Sequence, residues 1–175
     1  MNNLDYIREC IRDVPDFPKP GIVFKDIAPL VDDPKGFSNT IDLLAERWGS
    51  AGVERIAALE SRGFIFGCAL AYKLGVGTAL LRKPGKLPSE TIHVEYSLEY
   101  GTDRIEMHTD AVTPGMKVLV VDDLLATGGT AGAAIRLLNQ RDAHIIGCAF
   151  VIELAFLNGR QALGDVTVDS LITYG

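Results

Sequence analysis

"VLVVDDLLATGGTAGAAIRLL", Val118 to Leu138, runs from an apolar stretch into two adjacent carboxylates, a Thr-Gly-Gly-Thr turn and an apolar pattern at helical spacing. Val118 to Val121 is short and continuously apolar, as a central strand of a parallel sheet is. Asp122 and Asp123 sit at its carboxyl end. Thr127 to Thr130 then opens a helix carrying Ala131, Ala134, Ile135 and Leu138. The first turn of a helix has unpaired N–H groups and a partial positive charge, so it can hold an anion. Gly128 and Gly129 let the backbone approach a phosphate with no side chain in the way, and Thr127 and Thr130 add hydroxyl donors. Two adjacent carboxylates fit poorly beside a phosphate but well against vicinal hydroxyls, each of which donates a hydrogen bond. The stretch therefore reads as a ribose-5-phosphate cradle, with the acids for the diol and the glycine loop for the phosphate. The glycines do not match a dinucleotide fingerprint, and no Gly-Lys-Ser/Thr is present for a nucleoside-triphosphate loop. The competing reading is a plain strand-turn-helix whose acids cap the helix.

Outward from this stretch, the order is helix, loop, helix, then alternating strands and helices. Leu4, Ile7 and Ile11 line a first helix, which "VPDFPKPG" (Val14 to Gly21) breaks. Asp33-Pro34 caps a second helix, with Phe37, Ile41, Leu44, Ala45 and Trp48 on one face. Arg55 to Leu59 and Thr78 to Leu81 read as strands around a helix from Gly63 to Leu74. Ile92, Val94, Tyr96 and Leu98 alternate with polar residues, and Ile105 and Met107 fit a hairpin partner across Tyr100 to Asp103. Lys117 to Val121, Ile145 to Ile152 and Val166 to Ile172 supply three more strands. The fold class is α/β: a mainly parallel central sheet flanked by helices, with an inserted antiparallel hairpin. In such sheets ligands bind beyond the carboxyl ends of the strands, where Asp122 and Asp123 fall.

Composition narrows the function classes. At 175 residues the chain suits one domain, 1–175. A net charge of −6 argues against a nucleic-acid surface. The N-terminus has no cationic region before an apolar stretch, and no run is long enough to span a bilayer, so a cytoplasmic protein without a membrane partner is expected. Cys10, Cys68 and Cys148 are scattered, which suits reduced thiols, and no Cys/His cluster has metal-ligand spacing. His93, His108 and His144 suit solvated or structural roles rather than catalysis.

"VVDDLLATGGT" (Val120 to Thr130) resembles the phosphoribosyl-pyrophosphate motif of type I phosphoribosyltransferases, and within that family the form found in its adenine-using branch. "PDFPKPGIVFKDIAPL" (Pro15 to Leu30), "ESRGFIFG" (Glu60 to Gly67), "RKPGKLP" (Arg82 to Pro88) and "YSLEYG" (Tyr96 to Gly101) resemble further blocks of that branch, in its order and over essentially the whole chain. The resemblance implies transfer of ribose 5-phosphate from phosphoribosyl pyrophosphate to N9 of adenine, giving AMP and pyrophosphate in purine salvage. It implies a homodimer, and Mg²⁺ bound mainly through the substrate rather than by protein ligands. Asp122 and Asp123 would hold the ribose, and Ala126, Thr127, Gly128, Gly129 and Thr130 the 5-phosphate. Ser61, Arg62, Arg82, Lys83 and Lys86 would receive the pyrophosphate, with a flexible loop at about 82–108 acting as a lid. A base-binding hood at about 1–33 would present the Val23 carbonyl and Lys25 N–H to adenine, with Phe24 stacked on it and Ile65 on its opposite face. Lys25 stands where many members have Arg, at a position that works mainly through backbone. Glu99, beside Tyr100 in the loop, would manage the proton near N7. A different purine as acceptor, or a non-catalytic sensor of the same pyrophosphate, are the alternatives.

Overall fold

The computed structural model describes residues 2–97 and 102–175. Two compact units divide the chain, 1–43 and 44–175. The first contains helix α1 (Asn3–Glu9), strands β1 (Arg12–Pro15) and β2 (Val23–Asp26), and a short helix α2 (Ala28–Asp32). Helix α3 (Pro34–Trp48) runs on into the second unit, which holds β3 (Arg55–Leu59), α4 (Gly63–Leu74), β4 (Gly77–Leu81), β5 (Thr91–Ser97) and β6 (Thr102–His108). It continues with β7 (Lys117–Leu125), α5 (Gly129–Asn139), β8 (His144–Leu154) and β9 (Val168–Tyr174).

In the first unit β1 and β2 pair antiparallel, Val14 opposite Phe24. The proline-rich break joins two strands that the sequence pattern does not reveal. The Phe17 ring stands edge-on to Phe24 at 5.2 Å between centroids, and Asp16 accepts from the Gly21 N–H to close the turn. Helix α1 starts where the Asn2 side chain accepts from the Asp5 N–H. It ends at Glu9, so Ile11 is buried just beyond the helix rather than on its face.

The second unit is built on a five-stranded parallel sheet in the order β4-β3-β7-β8-β9. Its inner strands are apolar on both faces because helices cover both, and Ile56, Ala57, Ala58, Leu59 and Val118 to Val121 are fully buried. The chain leaves β3 toward β4 on one side and leaves β7 toward β8 on the other. Right-handed crossovers then place α4 and α5 on opposite faces. The β5–β6 hairpin pairs Thr91 with His108 through Ser97 with Thr102, and packs against α5 through Ile92, Val94 and Tyr96.

Several strand boundaries differ from the sequence expectation. Strand β7 does not end at Val121 but continues through Asp122 and Asp123 to Leu125, because the longer β8 keeps pairing with it as far as Glu153. Strand β9 begins at Val168 rather than Val166. Packing is tightest at Gly147 on β8, where an added Cβ would run into the Trp48 ring and lie 3.1 Å from the Thr167 carbonyl oxygen. Gly147→Ala is therefore expected to cost about 1–3 kcal/mol of stability, read as a lowered urea midpoint with an unchanged slope.

Candidate active site

Adjacent strands β3 and β7 send their chains in opposite directions, which opens a crevice beyond their carboxyl ends. Register deepens it. Pairing of β3 with β7 stops at Ala58 and Val121, while β7 runs on against β8 alone. The edge of β7 from Asp122 onward is thereby left facing the crevice. A cavity of about 390 Å³ lies there, lined by Glu60, Ser61, Arg62, Lys83, Asp122, Asp123, Leu124 and Thr130. Acids survive in the late part of a buried strand because the crevice, not the core, receives them.

Asp122 is half-buried and Asp123 buried. The Asp123 N–H donates to Asp122 Oδ1 at 2.9 Å, and Arg62 Nε lies 2.8 Å from Asp123 Oδ2. Burial, with the neighbouring Asp123 charge added, pushes the Asp122 carboxyl well above the ordinary carboxylate range. Burial also raises Asp123, against the pull of the Arg62 guanidinium. Gly63, the first residue of α4, has no room for a side chain: a Cβ would lie 2.7 Å from Asp122 Oδ1 and 2.9 Å from the Val121 carbonyl oxygen. The glycine in "ESRGF" thus lets α4 start hard against the acid pair.

On the β7 side the chain turns through Ala126 to Gly128 into α5. Gly128 adopts φ +80°, and the Gly132 N–H donates to its carbonyl at 2.8 Å. Its glycine is required by packing as well as conformation, since a Cβ would run into the Gly159 carbonyl oxygen. Only Gly129 has the open surroundings expected of a residue that admits a phosphate, its nearest would-be neighbour being Tyr96 Cδ2 at 3.8 Å. The N–H groups of Gly129, Thr130 and Ala131, ahead of the Gly132 bond, have no intrahelical acceptor. The Thr130 hydroxyl lies 3.4 Å from the Tyr96 hydroxyl.

A third wall comes from the segment after β4. Glu60 Oε2 accepts from Arg82 Nε at 3.1 Å and from the Lys83 N–H at 2.9 Å, which ties this segment to the end of β3. Lys83 Nζ reaches the cavity while bound to Asp103 and, at 3.0 Å, to the Tyr96 hydroxyl. Burial opposes its charge, but the hydrogen bonds it donates to Asp103 and Tyr96 outweigh that and hold its pKa above the ordinary lysine value. The Lys83 bond in turn holds Asp103 below the carboxylate range.

Among the expected site residues, the structure gathers Ser61, Arg62, Lys83, Asp122, Asp123 and Thr130 around one cavity. Arg82 and Lys86 lie outside its lining: Arg82 is turned onto Glu60 and the Lys86 carbonyl, and Lys86 is exposed. Ala126 to Gly129 form the adjoining turn, and Ile65 stands partly exposed on α4. Val23, Phe24 and Lys25 lie on β2 in the first unit, with Lys25 Nζ bound to Asp13 at 2.6 Å. Glu99 and Tyr100 lie outside the described residues. Sequence reasoning did not single out Glu60, Leu124 or Asp103, and an acid at the end of an apolar strand was the available signal for Glu60.

Comparison with known proteins identifies the family. A family model described as "Phosphoribosyl transferase domain" matches residues 30–170. The adenine phosphoribosyltransferase of Anaeromyxobacter dehalogenans (strain 2CP-1) is 56% identical, over 98% of this chain and 99% of its own length. The crystal structure of adenine phosphoribosyltransferase from Thermoanaerobacter pseudethanolicus superposes with a TM-score of 0.95 at 50% identity, covering 98% of this chain and 99% of that one. The Saccharomyces cerevisiae enzyme, crystallised with adenine and an imino-altritol bisphosphate, gives 0.91 at 40% identity, covering 97% of this chain and 98% of that one. The chain belongs to the phosphoribosyltransferase family, in its adenine phosphoribosyltransferase branch.

Proposed function

We infer that the chain is a purine salvage enzyme that transfers ribose 5-phosphate from 5-phosphoribosyl 1-pyrophosphate to N9 of adenine, releasing AMP and pyrophosphate. The observation that carries this reading is the crevice between β3 and β7, where the half-buried Asp122 and the buried Asp123 stand between an anion-ready helix start and the cations Arg62 and Lys83. Asp122 and Asp123 accept hydrogen bonds from the ribose hydroxyls. The N–H groups and hydroxyls of Ala126, Thr127, Gly128, Gly129 and Thr130 hold the 5-phosphate. Ser61, Arg62 and Lys83 take the pyrophosphate, joined by Arg82 and Lys86 when the 82–108 segment closes as a lid. As the bond from C1′ to the pyrophosphate oxygen lengthens, positive charge grows on the ribose, and the neighbouring carboxylates stabilise it. Adenine N9 then bonds to C1′, the pyrophosphate leaves with the electron pair, and the base sheds a proton near N7, where Glu99 is assigned. Positioning and electrostatics do most of this work.

Residues 1–33 supply the base hood in this reading. Residues two apart on a strand present their backbone groups to the same edge, so the Val23 carbonyl and Lys25 N–H match the adenine amine and ring nitrogen. The Lys25 side chain is engaged with Asp13, which suits a role through backbone. Phe24 stacks on the base. A 6-oxo purine would set its oxygen against the Val23 carbonyl, two acceptors with no proton between them.

Magnesium accompanies the substrate. Among the described residues no group of three or more His, Cys, Asp or Glu side chains is placed to hold a metal. The crevice acids Glu60, Asp122 and Asp123 are hard oxygen donors, which fits an ion that keeps substrate phosphates and waters as its ligands. Bound Mg²⁺ neutralises charge on the leaving pyrophosphate. A homodimer in the cytoplasm completes the reading: free thiols at Cys10, Cys68 and Cys148 suit a reducing compartment, and Tyr72 on α4 exposes 89% of its surface. No helix among the described residues is long and apolar enough to cross a membrane.

Incubation with phosphoribosyl pyrophosphate and Mg²⁺, with adenine, hypoxanthine, guanine and xanthine supplied separately, tests the reading. AMP and pyrophosphate should form with adenine alone, and chelation of Mg²⁺ should stop the reaction. Turnover of a 6-oxo purine would overturn the roles of Val23 and Lys25. Pyrophosphate binding without turnover of any base would make the protein a sensor.

A further inference from the structure

The turn that carries the phosphate loop is shaped from behind. A Cβ on Gly128 would run into the Gly159 carbonyl oxygen and lie 2.9 Å from Ala162 Cβ. The approach is reciprocal, since a Cβ on Gly159 would run into the Ala126 carbonyl oxygen. One turn further on, a Cβ on Gly132 would lie 2.7 Å from the Ala162 carbonyl oxygen. The 3₁₀ segment Gly159–Leu163 therefore backs the loop and the start of α5 with no space for a methyl group.

One side chain fixes that segment. Arg160 Nε and one terminal nitrogen each donate at 2.7 Å to the two carboxylate oxygens of Glu153, and the other terminal nitrogen donates at 3.0 Å to the Val168 carbonyl. Glu153 is buried on β8 opposite Leu125, the last residue of β7, and Val168 opens β9. A planar guanidinium is thus anchored to two strands at once, a geometry that lysine cannot reproduce. Hydrogen bonding from Arg160 also holds the Glu153 carboxyl below its ordinary range. Neither residue lines the cavity, so neither touches the reacting groups.

We propose that Arg160 and Glu153 are positioning residues for the 5-phosphate: their bidentate pair presses Gly159 and Ala162 against Gly128 and Gly132 and so aims the N–H groups of the loop. The inference rests on the reading that Ala126–Thr130 receives the 5-phosphate. It predicts a selective defect, because the pyrophosphate wall is built from β3 and the segment after β4, which this clamp does not support.

The test compares Arg160→Met, Arg160→Lys and a control, Arg47→Met, which removes a 2.5 Å ion pair to Asp169 and leaves the Arg160–Glu153 pair in place. AMP and pyrophosphate binding are measured separately by calorimetry, alongside thermal melts and the KM for phosphoribosyl pyrophosphate. Arg160→Met should weaken AMP binding about tenfold and raise that KM, with pyrophosphate affinity unchanged. Arg160→Lys should recover part of the loss, and Arg47→Met should leave AMP affinity intact at whatever melting temperature it shows. Should Arg160→Met fail to fold, Glu153→Gln, which keeps an acceptor but loses the charge, supplies the same comparison. Equal weakening of AMP and pyrophosphate, or undiminished AMP affinity, would overturn the proposal. A wild-type protein that binds pyrophosphate but not AMP would instead remove the reading of the loop on which it rests.

Discussion

Asp122→Asn is expected to lower kcat/KM for phosphoribosyl pyrophosphate by about a hundredfold, since charge complementary to the developing cation is lost from a desolvated site. The fold should not suffer. Asparagine is nearly isosteric, and its carbonyl can still accept from the Asp123 N–H as Asp122 Oδ1 does. Stability should in fact improve near neutrality, for a reason of sign. Burial and the adjacent Asp123 charge raise the folded-state pKa of Asp122 above its unfolded value. Such a group favours folding while protonated, and that contribution is lost as pH rises from the unfolded pKa of about 3.9 through the raised folded one. Melting temperatures of the variant and wild type should therefore diverge in favour of the variant as pH climbs through this window. Ligand linkage runs the other way, because a carboxylate accepts from the ribose hydroxyls more strongly than a carboxylic acid, so AMP should bind wild type more tightly as pH rises. Full activity in the variant would remove the ribose from Asp122. A stability gap that closed with rising pH would contradict the buried-charge account.

Gly128→Ala should produce the second large effect, and Gly129→Ala is its contrast. At Gly128 two penalties combine: a left-handed backbone, about 1–2 kcal/mol for an L-residue, and a methyl group driven into the Gly159 carbonyl oxygen. Overpacking of that kind costs about 1–3 kcal/mol. The melting temperature should fall by roughly 4–20 °C, and AMP affinity should fall with it as the loop shifts. At Gly129 the nearest would-be neighbour is 3.8 Å away, so alanine fits the empty protein. Its melting temperature should hold while AMP affinity drops, because the methyl group stands where the phosphate approaches. Thermal melts and AMP titrations of the two variants separate a glycine kept for folding from one kept for binding. Equal melting losses would merge the two roles.

The contrast between these neighbours marks how far the sequence carries. Apolar runs and helical periodicity were enough to place β3, α4, β7, α5 and β8, because each is a long element whose pattern is set by its own burial. The Asp-Asp pair and the Thr-Gly-Gly-Thr turn point to a sugar phosphate from the sequence, since that combination of charge and backbone freedom has few other uses. Partners distant in sequence were invisible. The continuation of β7 through its acids depends on the length of β8, which no local signal reports. The packing reason for Gly128 lies at Gly159, and the clamp behind both lies in Glu153 and Arg160. Strands β1 and β2 escaped because prolines interrupt their pattern, and α2 because five residues carry no period. The contact of Arg82 with Glu60 is set by a carboxylate 22 residues earlier in the chain.

The central claim is that the two acids meet a sugar diol while the glycine loop meets its phosphate. A crystal structure of the protein with AMP measures this directly. The account predicts the 5-phosphate on the N–H groups of Ala126 to Thr130, and both ribose hydroxyls within hydrogen-bonding distance of the Asp122 and Asp123 carboxylates. A phosphate seated instead on Ser61 and Arg62, with the ribose away from the acids, would contradict it.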